Sequence, residues 1–321
     1  HRWCTVVILL QQAMALKLTT RFASRLRCKP IILAPMGGAA GGELAAAVSA
    51  AGGVGFIGSG GESLEHLQRE WKLALANPHD RELLGFGLNV NQLDGYEPGT
   101  FETLLKELGP KHVYLSFGDC STYAQAVKGA GATLYSNCGD TAGALAHARA
   151  GVDVVVAQGS DAGGHTHPTA SVFALLPQAR AALDANGFSD TLLAAAGGVA
   201  DGRGVAAALT LGADAAVLGT TFAACTESTY TAQQKQTVVD TPCGATGTTI
   251  GTFIDAVRGI DNHSSGLPGR CIFNESTELE GAWVEADAEG RAELREMHAA
   301  GVRTHGEGKQ WGATWAGAAA R

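Results

Sequence analysis

Paired cysteines are missing from this sequence. Its seven cysteines stand far apart, none in a CxxC spacing, which excludes a disulfide scaffold or zinc ribbon and suits a reducing compartment. Charge is sparse at 17% and its balance is acidic, a formal −8. Without a basic surface the chain has no means of displacing counterions from nucleic-acid phosphates. A membrane span is not expected either, because the apolar stretch Cys4–Leu10 falls far short of the roughly 20 residues a span requires. The 44 glycines follow no Gly-X-Y period, so they mark tight turns rather than a collagen helix.

What is present is apolar mass: 45% of 321 residues are hydrophobic, enough for a large core and incompatible with wholesale disorder. Short apolar or β-branched runs recur, most followed by glycine and an alanine-rich helical pattern. They are Ile31–Met36, Val54–Ser59, Leu83–Val90, His112–Phe117, Ala132–Cys138, Val152–Gln158, Thr191–Ala196 and Ala215–Thr220. Helices are expected over 43–51, 63–76, 101–108, 121–130, 141–150, 171–183 and 201–211, with an eighth from about Glu227. Strands so uniformly apolar are covered on both faces, as parallel strands are. Eight βα units, one about every 26 residues, predict an α/β fold closed into a (β/α)₈ TIM barrel. An open doubly wound sheet fits less well. Its dinucleotide fingerprint GxGxxG is replaced after the first strand by GGAAGG.

The barrel is expected over 30–235, with a C-terminal loop and helix extension, 236–321, packing on it. In that extension Gly266–Arg270 reads as loop and Glu285–Ala300 as an exposed charged helix. Trp311–Gly317 reads as a tail able to fold back over a cleft. An N-terminal extension, 1–29, precedes the barrel; residues 1–13 read as lying upstream of a natural start at Met14. The basic, acid-free stretch Lys17–Lys29 also suits a mitochondrial presequence. The compartment expected is nevertheless cytoplasmic, with a peroxisomal address left open.

Barrel active sites lie at the C-terminal ends of the strands. The strongest cluster there is Gln158–His165, QGSDAGGH. Gly163 and Gly164 let backbone approach a ligand without a Cβ in the way. His165 would stand at the barrel mouth, and an imidazole, titrating near neutrality, suits general-base work. Gln158 can donate and accept hydrogen bonds, as the edge of a heteroaromatic ring requires. An exposed histidine on a glycine-rich turn is the bland alternative. A second cluster pairs Gly197-Gly198 after strand seven with Leu218-Gly219-Thr220 after strand eight, where barrels commonly bind phosphate through backbone N–H groups. Turn glycines and a helix-capping threonine would explain the same residues. Only Arg203 supplies a cation nearby, so recognition would rest on main-chain amides. Met36 could pack against a flat ring or be plain core. Asn89, polar in an apolar strand, must find a partner. His167 competes with His165, Asp161 could orient a histidine or cap a turn, and Cys138 and Cys225 read as buried fillers. His66, His79, His112, His147, His263, His298 and His305 show no metal-site spacing.

Taken in order, IILAPM, FGLN, AQGSDAGGH, AAGGVADGRG and LGTTFAACTES resemble the FMN-dependent nitronate monooxygenases, over roughly Pro30 to Glu227. The resemblance implies one FMN with its phosphate over the last two strands. Gln158, Gly163, Gly198, Val217, Leu218, Gly219 and Thr220 would contact it, joined by Met36, Asn89 and Gly197, and His165 would be the catalytic base. Thr221 stands where the family often has a basic residue, and Thr166 and His167 where it often has glycine. The implied reaction converts nitronates or nitroalkanes and O₂ to carbonyl compounds and nitrite. The small-molecule substrate and O₂ would be its partners, and a homodimer stays open. The nearest rival is an NAD(P)H-dependent quinone or enoyl-thioester reductase on the same FMN barrel; a non-catalytic FMN or phosphate-ligand binding protein stands further off.

Overall fold

The computed structural model describes residues 19–241, 244–259, 266–305 and 311–318. The expectations for residues 1–13, Met14 and His263 therefore lie outside the described residues. In chain order the strands are β1 (Ile31–Leu33), β2 (Gly55–Ser59), β3 (Leu84–Asn89), β4 (His112–Ser116), β5 (Thr133–Cys138) and β6 (Val154–Gln158). They continue as β7 (Gly164–His165), β8 (Leu192–Ala196), β9 (Ala215–Leu218), β10 (Thr248–Gly251) and β11 (Gly269–Ile272). Eight of them form one parallel sheet in the order β1-β9-β8-β6-β5-β4-β3-β2. A parallel bridge between Ile32 and Val54 joins its two ends, so the sheet closes on itself as a barrel with no exposed edge.

Alternation along the strands produces two apolar layers. Ile32, Phe56, Tyr114, Tyr135, Val154 and Val217 point inward, while Leu33, Ile57, Val113, Leu134, Val155 and Leu218 face the helices. The interior is sealed by aromatic rings. Phe56 lies edge-on to Tyr135 at 5.0 Å and to Tyr114 at 5.6 Å. Phe22, from the helix Arg21–Leu26, closes the same cluster from one end. That helix is fastened by Arg21, whose guanidinium makes paired hydrogen bonds to Asp214 at 2.8 and 2.7 Å.

Four expectations need correction. β1 ends at Leu33 and not Met36, because Pro35 has no N–H to continue a ladder. The eighth helix begins at Ala232, where Thr231 and Gln234 form a capping box. Residues 227–231 are instead held as a turn by Ser228, whose hydroxyl donates to the Ala39 carbonyl at 3.0 Å. Gly266–Arg270 is not all loop: Gly269–Ile272 is β11, antiparallel to both β10 and β7. The charged C-terminal helix runs over Ala288–His305, three residues later than expected at its start. Among the described residues no helix is long and apolar enough to cross a membrane.

Candidate active site

At the C-terminal ends of the barrel strands lies a cavity of about 530 Å³. Ten of the expected site residues line it: Met36, Asn89, Gln158, Gly163, His165, Gly197, Gly198, Val217, Gly219 and Thr220. Leu218 does not. Alternation turns Val217 into the barrel and sends the Leu218 side chain into the outer core, where it is 7% exposed. Only its backbone, whose carbonyl accepts from Ala34 N–H at 2.9 Å, belongs to this end of the barrel.

Gln158 ends β6 and is held on both sides. Its Oε1 accepts from Asn137 Nδ2 at 2.7 Å, and its Nε2 donates to the His165 carbonyl at 3.1 Å. Asn137 was not singled out from sequence. It sits in β5, and its own Oδ1 is buried with no hydrogen-bond partner among the described residues. A buried acceptor left unmade is costly, so this atom calls for a donor from within the cavity. Asn89 ends β3 and makes no capping hydrogen bond to the short helix after it, leaving its amide at the cavity.

Gly197 and Gly198 follow β8 with φ of +98° and +69°, the left-handed region open to glycine. They wrap the chain around the cavity in front of the helix Gly202–Thr210. At Gly163, a Cβ would run into the backbone of Ala316 and Gly317. The tail thus does fold back over the cleft: Gly317 N–H donates to the Thr220 hydroxyl at 2.9 Å, and Ala318 N–H to the Asp161 carbonyl at 2.9 Å. Tyr230 and Trp315 are joined by hydrogen bonds of 3.2 and 3.1 Å, hydroxyl to carbonyl and N–H to hydroxyl. Arg203 is turned to solvent and paired with Asp201 at 2.6 Å. The cation nearest in sequence therefore does not line the cavity.

His165 occupies β7, which pairs with β11 at Gly269. Beyond β11 lies β10, and the chain leaving β10 at Gly251 turns at once into the helix Phe253–Val257. This helix brings Asp255 to His165: Oδ2 lies 2.5 Å from Nε2, with the side chains only 7% and 13% exposed. Trp315 tilts over the imidazole at 5.6 Å and Phe117 meets it edge-on at 6.2 Å. Asp255, Trp315 and Tyr230 all escaped the sequence reading as individual residues. Only the WGATWAG tail had signalled a cover.

The other candidates separate cleanly. His167 lies against Gly139 and outside the cavity lining, and burial lowers its pKa. Asp161 lines the cavity, but its carboxylate is engaged at the start of a helix, accepting from Val172 N–H at 3.0 Å. Cys138 is buried, which pushes its thiol up to about 12, and Cys225 is fully buried. Neither is a poised nucleophile.

A family model described as nitronate monooxygenase matches residues 78–321. A nitronate monooxygenase of Neurospora crassa is 32% identical, over 90% of this chain and 83% of that protein. Among solved structures, FabK from Thermotoga maritima superposes with a TM-score of 0.75 at 26% identity, covering 95% of this chain and 90% of the other. The nitroalkane oxidase from Streptomyces ansochromogenes gives 0.70 at 26% identity, covering 91% and 90%.

Proposed function

Because the chain belongs to the nitronate monooxygenase family, we propose that it oxidises alkyl nitronates, and neutral nitroalkanes once deprotonated, using FMN and O₂. The observation that carries this reading is the convergence of Gln158, Asn137, His165 and the Gly197–Gly198 and Gly219–Thr220 turns on one cavity. The residues fit a flavin. The orphaned Asn137 Oδ1 would accept from a ring N–H, beside the Gln158 amide. Gly219, where a Cβ would lie 3.3 Å from Met36 Sδ, leaves room for a flat group. Gly197, Gly198 and Thr220 would hold the phosphate, mainly through main-chain N–H groups. When bound, the flavin supplies the redox chemistry that links a nitronate to O₂, with a carbonyl compound and nitrite as products.

The chain's own work is acid–base and steric. His165, in its neutral form, takes the proton from the carbon beside the nitro group, and the imidazolium then faces the nitronate anion. Trp315 and Phe117 shield the ring from water, which strengthens that attraction. The test is to load the protein with FMN and mix it anaerobically with ethyl nitronate. The flavin colour should bleach, then return with nitrite release on admitting air. Bleaching by NADH with nitronate inert would replace this reading by a reductase, and a protein that takes up no FMN would remove it.

A further inference from the structure

We propose that Arg258 is a catalytic residue for the same reaction. Its guanidinium holds the nitro oxygens of the substrate and stabilises the negative charge that reaches them as the neighbouring carbon loses its proton. The inference rests on the functional reading above and adds an anion site from outside the barrel. Among the described residues that line the cavity, Arg258 is the one lysine or arginine.

Arg258 stands just after the helix Phe253–Val257, one helical turn beyond Asp255, so the two side chains share a face. Arg258 Nη1 lies 3.9 Å from Asp255 Oδ1, and Asp255 Oδ2 lies 2.5 Å from His165 Nε2. Guanidinium and imidazole therefore lean on one carboxylate at the cavity wall. At 3.9 Å the ion pair is too long for a hydrogen bond, and no other hydrogen bond engages the Arg258 side chain among the described residues. Its fork of N–H donors is available. The side chain is 32% exposed against 7% for Asp255, which leaves it open to an incoming ligand. Arg270, on β11, is by contrast occupied by the Ser160 carbonyl and the Thr248 hydroxyl.

The other charges of the cavity favour this placement. Glu62 follows β2, which stands opposite β6 in the closed strand order, and its carboxylate lies beside Gly37. An anion is thus repelled from that wall and drawn to the side of His165 and Arg258. In the step itself the substrate C–H bond breaks and its proton goes to His165. The electron pair moves into the carbon–nitrogen bond, and the negative charge passes to the two nitro oxygens. A guanidinium fork matches a pair of oxygens carried on one atom, and in a cavity partly withdrawn from water its attraction is stronger than in solution. The donors stand in place before the charge develops. They therefore favour the transition state over a neutral nitroalkane, whereas a preformed nitronate meets them on binding.

The first test needs no turnover. Nitrate, an inert planar anion with the oxygen pair of a nitro group, is titrated into the protein by calorimetry. The unaltered protein should bind it, and Arg258→Met should weaken it at least about 10-fold. Arg258→Lys, which keeps the charge but not the fork, should fall between them. No nitrate binding by the unaltered protein, or equal binding by Arg258→Met, would overturn the proposal. The second test compares nitroethane with preformed ethyl nitronate. Arg258→Met should lower kcat for nitroethane about 10²-fold. For the nitronate it should raise KM about 10-fold and change kcat less than about 3-fold. Equal falls in kcat on both substrates would make Arg258 merely structural. If the unaltered protein oxidises no nitronate, the functional reading fails, and the nitrate titration still decides whether Arg258 holds an anion.

Discussion

Asn137 donates through Nδ2 to Gln158 Oε1 at 2.7 Å while its own Oδ1 has no hydrogen-bond partner among the described residues. The two amides therefore form one edge with a fixed sense, because Gln158 is itself oriented by the His165 carbonyl. Such an edge matches a ring that offers an N–H beside a carbonyl.

Asn137→Ala removes the unmatched acceptor and frees Gln158 to rotate. FMN affinity should fall about 10-fold, the worth of one hydrogen bond to a buried group, with the circular dichroism spectrum unchanged. Fluorescence titration of FMN into the apoprotein measures it. Unchanged affinity would mean the ring lies elsewhere in the cavity.

The Gly197–Gly198 turn makes a prediction about the other end of the ligand. Alanine at Gly198 would have to hold φ near +69° with its Cβ 3.1 Å from that of Asp161, a strain of about 1 kcal/mol. Gly198→Ala should lower Tm by about 2 °C. It should also weaken FMN at least about 10-fold while leaving riboflavin, which lacks the phosphate, nearly unaffected. Equal losses for both ligands would place the phosphate away from this turn.

The eight barrel strands were legible because each is a short apolar run buried on both faces and stopped by glycine, proline or a polar residue. That same uniformity hid the direction of each side chain. With both faces apolar, nothing in AAVLGT distinguishes Val217, which enters the cavity, from Leu218, which does not. Gln158 and His165 stood out as polar groups at a strand end, and Asn137, one residue short of the end of β5, did not. Asp255 lies 90 residues from His165. Its approach depends on β11, whose sequence GRCI is too short and mixed to signal a strand. Tertiary pairing, not local propensity, makes it one.

His165→Asn tests the base directly. The asparagine roughly preserves size and polarity but cannot take a proton at working pH. Turnover of neutral nitroalkanes should drop about 10²-fold or more, bound FMN should remain, and preformed nitronates should lose far less. Steady-state oxygen consumption on the two substrates gives the ratio. Parallel losses would show that His165 binds rather than deprotonates.

His112 predicts how the barrel responds to acid. It lies near Phe56 and Tyr135, its Nε2 3.0 Å from the Glu82 carbonyl and its Nδ1 3.1 Å from the Tyr135 hydroxyl. Burial pushes its pKa from 6.5 down to about 4. Between those values the unfolded chain binds a proton that the folded chain refuses. The stability from this site is therefore complete above pH 6.5, falls as pH drops, and is lost by about pH 4. That difference is worth about 3 kcal/mol. His147 and His167 are shifted the same way by burial, so they add to the slope. His112→Gln should lower the urea midpoint at pH 7 yet flatten its decline between pH 6.5 and 4.5. A variant that declines as steeply as the parent would show that His112 is already protonated in the fold, and that the acid sensitivity arises elsewhere.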